Sequence, residues 1–274
     1  MKVWVNGALA GGSDAVVSVF DHGLTTGDGV FETAKVVGGR PFALTRHLDR
    51  LALSARDLGL PQPDLALVRR AVDEVLAANP LDGTGRLRIT YTGGVSPLSS
   101  ERGDGDPTLV VAVSAAKPWP ETAAVATVPW PRNERGATAG LKTTSYAENV
   151  RALAYAAERG ASEVIFGNTV GNLCEGTGTN VFLRIGDRLV TPPLTAGCLA
   201  GVTRALVLEW VGADEQDVPM AAFEGADEIF LTSSTRDVQA VHRVDDRLLS
   251  DAPGPLTRKA SEVFAERSAQ DADP

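Results

Sequence analysis

The sequence predicts a two-domain α/β protein, and three observations lead to that prediction. The chain has 274 residues, 43% of them hydrophobic, which is enough to bury a sizeable core in one large or two modest domains. Short β-like runs alternate with amphipathic helical periods along both halves. Between the halves, Ala116-Lys117-Pro118-Trp119-Pro120-Glu121 has the composition of an interdomain linker. We therefore predict domains over residues 1–115 and 123–274, joined by a linker over 116–122.

The elements of the first half follow from alternation, turn residues and helix boundaries. Gly38-Gly39 predicts a hairpin. Thr45 is placed to cap a helix that ends before Gly59, and Asp64 begins a second amphipathic period. Loop 93–107 is rich in Gly, Ser and Pro, which is typical of a mobile segment. The predicted strands are 3–5, 16–20, 30–37, 87–92 and 109–114, and the predicted helices are 45–58 and 64–78.

The second half shows the same alternation of strand and helix. Gly160 ends a helix that begins after the segment of Lys142, and Val202 opens an apolar helical run. Residues 268–274 are expected to fray, as chain ends often do. The predicted strands are 124–128, 163–166, 180–185, 189–191 and 228–232, and the predicted helices are 146–159, 202–211 and 256–267.

Composition excludes several classes of function. The formal net charge of −9 argues against nucleic acid or an anionic membrane as a partner, because either would call for a basic patch. The residues 1–7 predict a strand and turn rather than a signal peptide, and no apolar run has the length that spans a bilayer. Two cysteines are too few for a disulfide framework and favour a reducing compartment. We therefore expect a soluble, cytoplasmic protein.

The remaining histidine, cysteine and glycine patterns favour structural roles. His22, His47 and His242 lack ligand spacing, so no metal site is predicted. Cys174 and Cys198 are interpreted as small buried residues. The glycine pairs in the chain do not continue as the strand, turn and helix that bind a dinucleotide.

Lys142 and Glu175 are the pair with the most chemical meaning. Taken alone, each is typical of a solvated surface charge. Together they suit pyridoxal phosphate, because a lysine amine can hold the cofactor's aldehyde as a Schiff base. A carboxylate beside the ring nitrogen keeps that nitrogen protonated, so the ring can accept electrons from the substrate's Cα.

Two downstream stretches could hold the phosphate of such a cofactor. Residues 197–204 precede an apolar helical run, so their N–H groups would lie at a helix N-terminus, where anions bind. Residues 228–236 form a strand that runs into hydroxyl side chains. Arg50 is a further candidate, because a planar guanidinium meets phosphate oxygens bidentately. Each stretch by itself is equally typical of a helix cap or a loop.

With these features in order, the chain resembles the class IV, or fold-type IV, pyridoxal phosphate enzymes. That family includes D-amino acid, branched-chain and (R)-selective amine transaminases and 4-amino-4-deoxychorismate lyase. The resemblance runs from Asn6-Gly7 through the segments 21–33 and 47–51 to 239–241, nearly the whole chain. It implies a smaller N-terminal α/β domain and a larger C-terminal domain with a barrel-like sheet, and a homodimer with the site near the subunit interface.

The resemblance also implies roles for particular residues. Lys142 matches the Schiff-base lysine, which also moves the proton between Cα and the cofactor, and Glu175 matches the carboxylate beside the pyridine nitrogen. The residues that match the phosphate-binding groups are Arg50, Val202, Thr203, Ser233 and Ser234.

The substrate-binding residues match neither of two subfamilies in full. In D-amino acid transaminases the strand equivalent to 87–92 is followed by Thr-Arg-Gly, whose arginine helps to bind the substrate carboxylate, and tyrosine stands at the position of Phe31. Here Gly93-Gly94 follows the strand, and the two Arg-Gly pairs of the lyases are altered too, with Arg102-Gly103 as a displaced counterpart. Arg102 lies in the loop expected to be mobile and could act as a lid residue. The candidate substrate residues are Phe31, Arg88, Tyr91, Thr92, Arg102 and Arg135.

Three hypotheses for function remain open at this point. The first is a transaminase that moves an amino group from D-amino acids, or related (R)-amines, to a 2-oxo acid. The alternative is 4-amino-4-deoxychorismate lyase, which uses the same lysine to give 4-aminobenzoate and pyruvate. The third is a catalytically silent cofactor carrier.

Overall fold

The computed structural model describes residues 1–274, and the chain divides into two compact units. Unit 1 comprises Met1–Pro118, Leu141–Tyr146 and Ala272–Pro274, and unit 2 comprises Trp119–Gly140 and Ala147–Asp271. The domain bounds drawn from the sequence stay a prediction. The segment that contains Lys142 belongs to unit 1, although in the sequence it comes after the start of unit 2.

Unit 1 is built on a six-stranded antiparallel sheet in the order β2-β1-β6-β5-β3-β4. Its elements are β1 (Lys2–Val5), β2 (Ala8–Gly11), α1 (His22–Thr25), β3 (Gly29–Val37), β4 (Arg40–Pro41), α2 (Leu44–Asp57), α3 (Leu65–Ala78), β5 (Thr84–Thr92) and β6 (Thr108–Ala115).

The core of unit 1 lies between one face of this sheet and helices α2 and α3. Along β5 the side chains alternate, so that Leu87, Ile89 and Tyr91 are buried while Arg86 and Arg88 face the other side. From α3, Val68 and Val72 are fully buried in the same core. Full burial of such a side chain contributes about 1.5–3 kcal/mol to the free energy of folding. The period of the apolar residues therefore determines which faces of the sheet and the helices pack together.

Unit 2 holds a nine-stranded mixed sheet in the order β12-β11-β10-β13-β14-β7-β8-β9, with β15 paired to β14. Its elements are β7 (Thr122–Thr127), α4 (Ala147–Ala157), β8 (Glu163–Gly167), β9 (Leu173–Glu175), β10 (Asn180–Ile185), β11 (Arg188–Thr191), α5 (Val202–Trp210), β12 (Asp214–Glu215), α6 (Met220–Glu224), β13 (Ile229–Ser233), β14 (Asp237–Val244), β15 (Arg247–Leu248) and α7 (Pro255–Gln270). Strand β7 is parallel to both β14 and β8. The predicted mixed α/β class is confirmed.

Two predictions for the first half of the chain were wrong. Residues 16–20 form no strand, because Val16 and Val19 remain exposed and the chain turns there toward Asp21, which caps α1. Thr45 does not cap α2, whose N-cap is Ala43 in a left-handed conformation with φ of 53°. The side chain of Thr45 donates instead to Asp273.

The C-terminal tail was also predicted wrongly, since it is held rather than frayed. Helix α7 continues to Gln270, three residues beyond the predicted end at 267. The backbone N–H of Ala43 then donates to Ala272 O at 2.7 Å, and Nε of Arg46 donates to Pro274 O at 2.8 Å. These partners are far apart in sequence, so no local pattern could indicate them.

Several strands were missed because their sequences do not alternate cleanly. Strand β14 contains Gln239, His242 and Arg243, and it becomes a strand because β13 and β7 pair with it on both sides. Strand β9 is only three residues long and precedes the loop that carries Gly176. No helix of the structure combines the length and apolarity needed to cross a membrane.

Candidate active site

The backbone around Lys142 is fixed against the start of β3. Phe31 N donates to Lys142 O at 2.9 Å, and Thr144 N donates to Gly29 O at 2.8 Å. The hydroxyl of Thr144 donates to Gly27 O at 2.8 Å. On the other side, Lys142 N donates to Ser54 Oγ at 3.3 Å. Thr143 of this segment forms an antiparallel β-bridge with Val30 of β3. The half-buried side chain of Lys142 therefore projects from a firmly held backbone.

Phe31 lies beside Lys142 and also beside Arg88. The amine Nζ of Lys142 is 4.3 Å from the centroid of the Phe31 ring, and the guanidinium carbon of Arg88 is 3.4 Å from it. Tyr146 meets the same ring edge-on, with the centroids 5.2 Å apart. Both cations are therefore positioned over one aromatic platform, a favourable arrangement for each.

Arg88 is the candidate substrate residue with the clearest electrostatic signature. Desolvation lowers the pKa of Arg88 to about 10, so the guanidinium stays charged at neutral pH. Its Nε donates to Thr90 Oγ1 at 3.3 Å, and no carboxylate forms a salt bridge with it. Tyr146 and then Glu32 on β3 act to raise the pKa of Arg88, but desolvation outweighs both.

Arg50 lies on α2 in a buried ion pair with Glu32 and His47. Its Nε and Nη2 donate to the two carboxylate oxygens of Glu32 at 2.8 and 2.7 Å. Burial raises the pKa of Glu32, but Arg50 and His47 outweigh it and hold that pKa at about 2. Burial lowers the pKa of His47. Because the ionised Glu32 can only accept, Nδ1 of His47 carries the hydrogen donated to that carboxylate at 2.6 Å. Arg50 is thereby held in one orientation by Glu32, through its Nε and Nη2.

In unit 2, Glu175 ends β9 with its carboxylate held from two sides. Leu199 N donates to Oε2 at 2.9 Å, and Nε of Arg132 lies 3.5 Å from Oε1. Arg132 is itself placed over the Phe166 ring, 4.1 Å from the centroid, and donates to Asn149 Oδ1 at 2.8 Å. Arg132 was not predicted from the sequence, because an arginine in a loop carries no signal until its partner is known.

The N-terminus of α5 offers backbone N–H groups at Val202 and Thr203. Gly201 precedes them, and no side chain caps the helix. A Cβ on Gly201 would come within 2.0 Å of Asn180 Oδ1, so only glycine allows this close approach. An uncapped N-terminus of a nine-residue helix suits a phosphate, because both its free donors and its dipole attract an anion.

The second hydroxyl-rich turn follows β13. Ser233 Oγ accepts a hydrogen bond of 3.2 Å from Arg236 N, which closes the turn and places Ser234 at its corner. An amine, a carboxylate held for a ring nitrogen and two phosphate-type donor sets are thus all present, and this donor chemistry fits pyridoxal phosphate. The individual roles of Lys142, Arg50, Glu175, Val202, Thr203, Ser233 and Ser234 stay predictions.

The other four candidate substrate residues contact other groups. Tyr91 is in the hydrophobic core of unit 1, where burial raises its pKa. The hydroxyl of Thr92 donates to Asp21 Oδ1 at 2.8 Å. Arg102 donates to Asp28 and to backbone carbonyls, and Arg135 is exposed beside Glu134. Of the six candidates, Phe31 lies next to the lysine amine, and Arg88 packs on the same Phe31 ring.

These features define a pyridoxal-phosphate-dependent enzyme, and the comparisons give the family. The model of the class IV amino-transferases matches residues 29–244. The chain belongs to that family. Fold-type IV transaminases are among its structural neighbours, as are branched-chain aminotransferases.

Three similar proteins illustrate the range of the family. A bifunctional aminodeoxychorismate lyase / D-amino acid transaminase of Mycobacterium tuberculosis is 34% identical, over 97% of this chain and 96% of the relative. A D-alanine aminotransferase of Bacillus licheniformis is 31% identical over 94% of each. The solved structure of a hypothetical aminotransferase from Mycobacterium tuberculosis in its PLP-bound form is 30% identical, with a TM-score of 0.86 and 100% coverage of both chains.

Proposed function

We propose that the protein is a transaminase that moves the amino group of a D-amino acid to a 2-oxo acid, with (R)-amines as possible further donors. The observation that carries the proposal is the position of Arg88 over the ring of Phe31, the ring that the amine of Lys142 also contacts. A charged guanidinium without a salt bridge, packed on the same ring as the reacting amine, suits the carboxylate of an amino acid substrate. The names of the two relatives support the D-configuration.

The proposed mechanism assigns one task to each residue. The cofactor, when bound, supplies an electron sink that stabilises negative charge at the substrate's Cα. Lys142 would hold the cofactor through its amine, and the same amine would remove the proton from the substrate's Cα as a general base. Arg88 holds the substrate carboxylate, which fixes the orientation of the Cα–H bond toward Lys142. Phe31 keeps water from the face that it covers.

Arg50 and Glu175 would act on opposite ends of the cofactor. Arg50, oriented by Glu32, is proposed to bind the phosphate together with the N–H groups of Val202 and Thr203 and the hydroxyls of Ser233 and Ser234. Glu175 is proposed to keep the ring nitrogen protonated, and its Oε1 lies 3.5 Å from Nε of Arg132.

A second candidate function is aminodeoxychorismate lyase, because the relative with 34% identity carries both activities in its name. The same Lys142 would then abstract a proton and pyruvate would leave, giving 4-aminobenzoate. A homodimer with the site near the interface, and a cytoplasmic location, remain parts of the proposal that rest on the family resemblance.

A half-reaction distinguishes these functions. D-alanine added to the purified protein, with no oxo acid, should change the ultraviolet-visible spectrum from that of the aldehyde form of the cofactor to that of the amine form. L-alanine is the matched control and should change it far more slowly. Pyruvate release from aminodeoxychorismate without a response to D-alanine would support the lyase. No response to either substrate would support a silent cofactor carrier and contradict both the transaminase and the lyase function.

A further inference from the structure

Glu163 and Arg236 form a buried ion pair in unit 2 that the proposed function does not use. Glu163 is the first residue of β8 and is 1% exposed. Nη2 of Arg236 lies 3.6 Å from Glu163 Oε2, and the side chain of Arg236 is 4% exposed. Burying two charges is costly unless they are paired and hydrogen-bonded, so the arrangement needs a reason.

One side of Glu163 is bonded to the loop that follows Glu175. Thr177 N donates to Glu163 Oε1 at 3.0 Å, and the hydroxyl of Thr177 donates to the same oxygen. The hydroxyl of Thr179 donates to Oε2 at 3.4 Å. A Cβ on Gly176 would lie 2.2 Å from Thr179 Oγ1 and 3.2 Å from Glu163 Cδ, so the loop packs tightly around the carboxylate.

Arg236 connects the same carboxylate to the turn that contains Ser233 and Ser234. The backbone N–H of Arg236 donates to the hydroxyl and the carbonyl of Ser233, each at 3.2 Å. Its side chain donates to Gln239 Oε1 at 2.6 Å and lies over the ring of Trp119, 3.7 Å from the centroid. The guanidinium is therefore held on three sides, and its charge faces Glu163.

We infer that Glu163 is a positioning residue that holds both cofactor loops, 175–179 and 233–236, in the conformation that binds pyridoxal phosphate. Its carboxylate accepts hydrogen bonds from the first loop and pairs with the cation at the end of the second. Because both loops bond to one anion, neither can shift alone without leaving a buried donor unsatisfied. The inference rests on the proposed placement of the cofactor in unit 2.

Glu163→Gln is the direct test, with Glu228→Gln as the matched control. The amide keeps the shape of Glu163 but loses the charge, and it directs an NH₂ group at donors or at Arg236. Glu228 is a suitable control, because it is a similarly buried carboxylate in the same unit, 4% exposed. It accepts a hydrogen bond of 2.6 Å from Thr257 N, at the start of α7. The dissociation constant of PLP is measured by titrating the cofactor into the cofactor-free full chain, alongside the melting temperature of that form.

We expect Glu163→Gln to weaken PLP binding at least about tenfold, and Glu228→Gln by less than about threefold, at comparable losses of melting temperature. Thr177→Val is a second, isosteric variant that keeps the buried charge and removes one hydroxyl donor. It should weaken PLP binding about fivefold, which keeps the test open if Glu163→Gln does not fold. Equal PLP affinities for Glu163→Gln and Glu228→Gln, or wild-type affinity for Thr177→Val, would overturn the inference.

The cofactor placement is tested separately with Ser234→Ala and Glu175→Gln. If these variants change the affinity or the absorption spectrum of bound PLP while Glu163→Gln matches its control, the inference about Glu163 alone fails. If none of the variants changes either quantity, the placement of the cofactor in unit 2 fails with it.

Discussion

Arg102 is held by Asp28 through two hydrogen bonds, from Nε to Oδ2 and from Nη2 to Oδ1, both of 2.7 Å. Nη2 also donates to Leu58 O at 2.9 Å, and Nη1 donates to Gly59 O. Loop 93–107 is thereby fastened to segments of unit 1 that are distant in sequence. An arginine with these partners would have to give up a bidentate ion pair before it could bind a substrate carboxylate.

Arg102→Ala should loosen the loop and affect all amino donors alike. We expect faster proteolytic cleavage within residues 93–107, detected by mass spectrometry, because the loop loses its only bidentate anchor to Asp28. Asp28→Asn should reproduce the effect. A loss of activity with D-alanine at unchanged activity with (R)-1-phenylethylamine would instead return Arg102 to the role of carboxylate binder.

Arg88→Ala should discriminate between donors with and without a carboxylate. Loss of one charge-assisted hydrogen bond is worth about 1.5–3 kcal/mol, so kcat/KM for D-alanine should fall roughly 10- to 150-fold. Activity with (R)-1-phenylethylamine should change little. Arg86→Ala is the matched control, since Arg86 lies two residues away on the same face of β5. Equal losses on both donors would remove Arg88 from carboxylate binding.

His22 should make the anchoring of loop 93–107 depend on pH. Its Nε2 faces Ser99 O at 2.9 Å and its Nδ1 faces Asp28 Oδ2 at 3.1 Å. Both partners only accept, so both nitrogens carry hydrogen when both bonds form. The bonds to Ser99 and then Asp28 raise the pKa of His22 and outweigh desolvation and the charge of Arg102. The pKa of Asp28 is lowered, chiefly by its hydrogen bond from Arg102, so Asp28 stays ionised at the pH values where His22 gains or loses its proton.

The sign of the effect follows from the raised pKa. The stabilisation by His22 is fully present below the unfolded pKa of about 6.5 and is lost as pH rises through the higher folded pKa. The difference in free energy of unfolding between wild type and His22→Gln, from urea titrations, should therefore be larger at pH 6 than at pH 9. A difference that stays constant, or grows with pH, would contradict the double hydrogen bond.

Lys142→Ala should abolish turnover and leave the fold intact, because it removes both the anchor of the cofactor and the group that moves the proton. In the wild-type protein, borohydride reduction in the presence of PLP followed by peptide mapping should label Lys142. Label on Lys35 or Lys117 would refute the assignment.

Glu175→Gln should retain the cofactor but lose orders of magnitude in rate. A neutral amide cannot hold the proton of the ring nitrogen by charge pairing, and it removes one of the two carboxylates near Arg132, the other being Glu148. The rate of the D-alanine half-reaction measures the loss. A variant with near-normal rates would mean that Glu175 faces another group.

Much of the candidate site could be predicted from the sequence because cofactor chemistry restricts residue type. An amine forms the required bond to an aldehyde, and a carboxylate can keep the ring nitrogen protonated, so Lys142 and Glu175 stand out in their motifs. The class of fold was predictable for a similar reason. Apolar residues alternate along β5 and recur with the helical period along α3, because each element buries one face. Both patterns can be read from the local sequence.

Tertiary structure alone decided which arginine packs on the Phe31 ring that Lys142 also contacts and which arginine anchors a loop. Arg88 and Arg102 have the same chemistry, and their roles differ because one lies over Phe31 and the other meets Asp28. The partners of Arg132 and Glu163 could not be predicted from the sequence for the same reason. A side chain's partner depends on strands and loops brought together from distant parts of the chain, and the free energy of such contacts exists only once the core has formed around them.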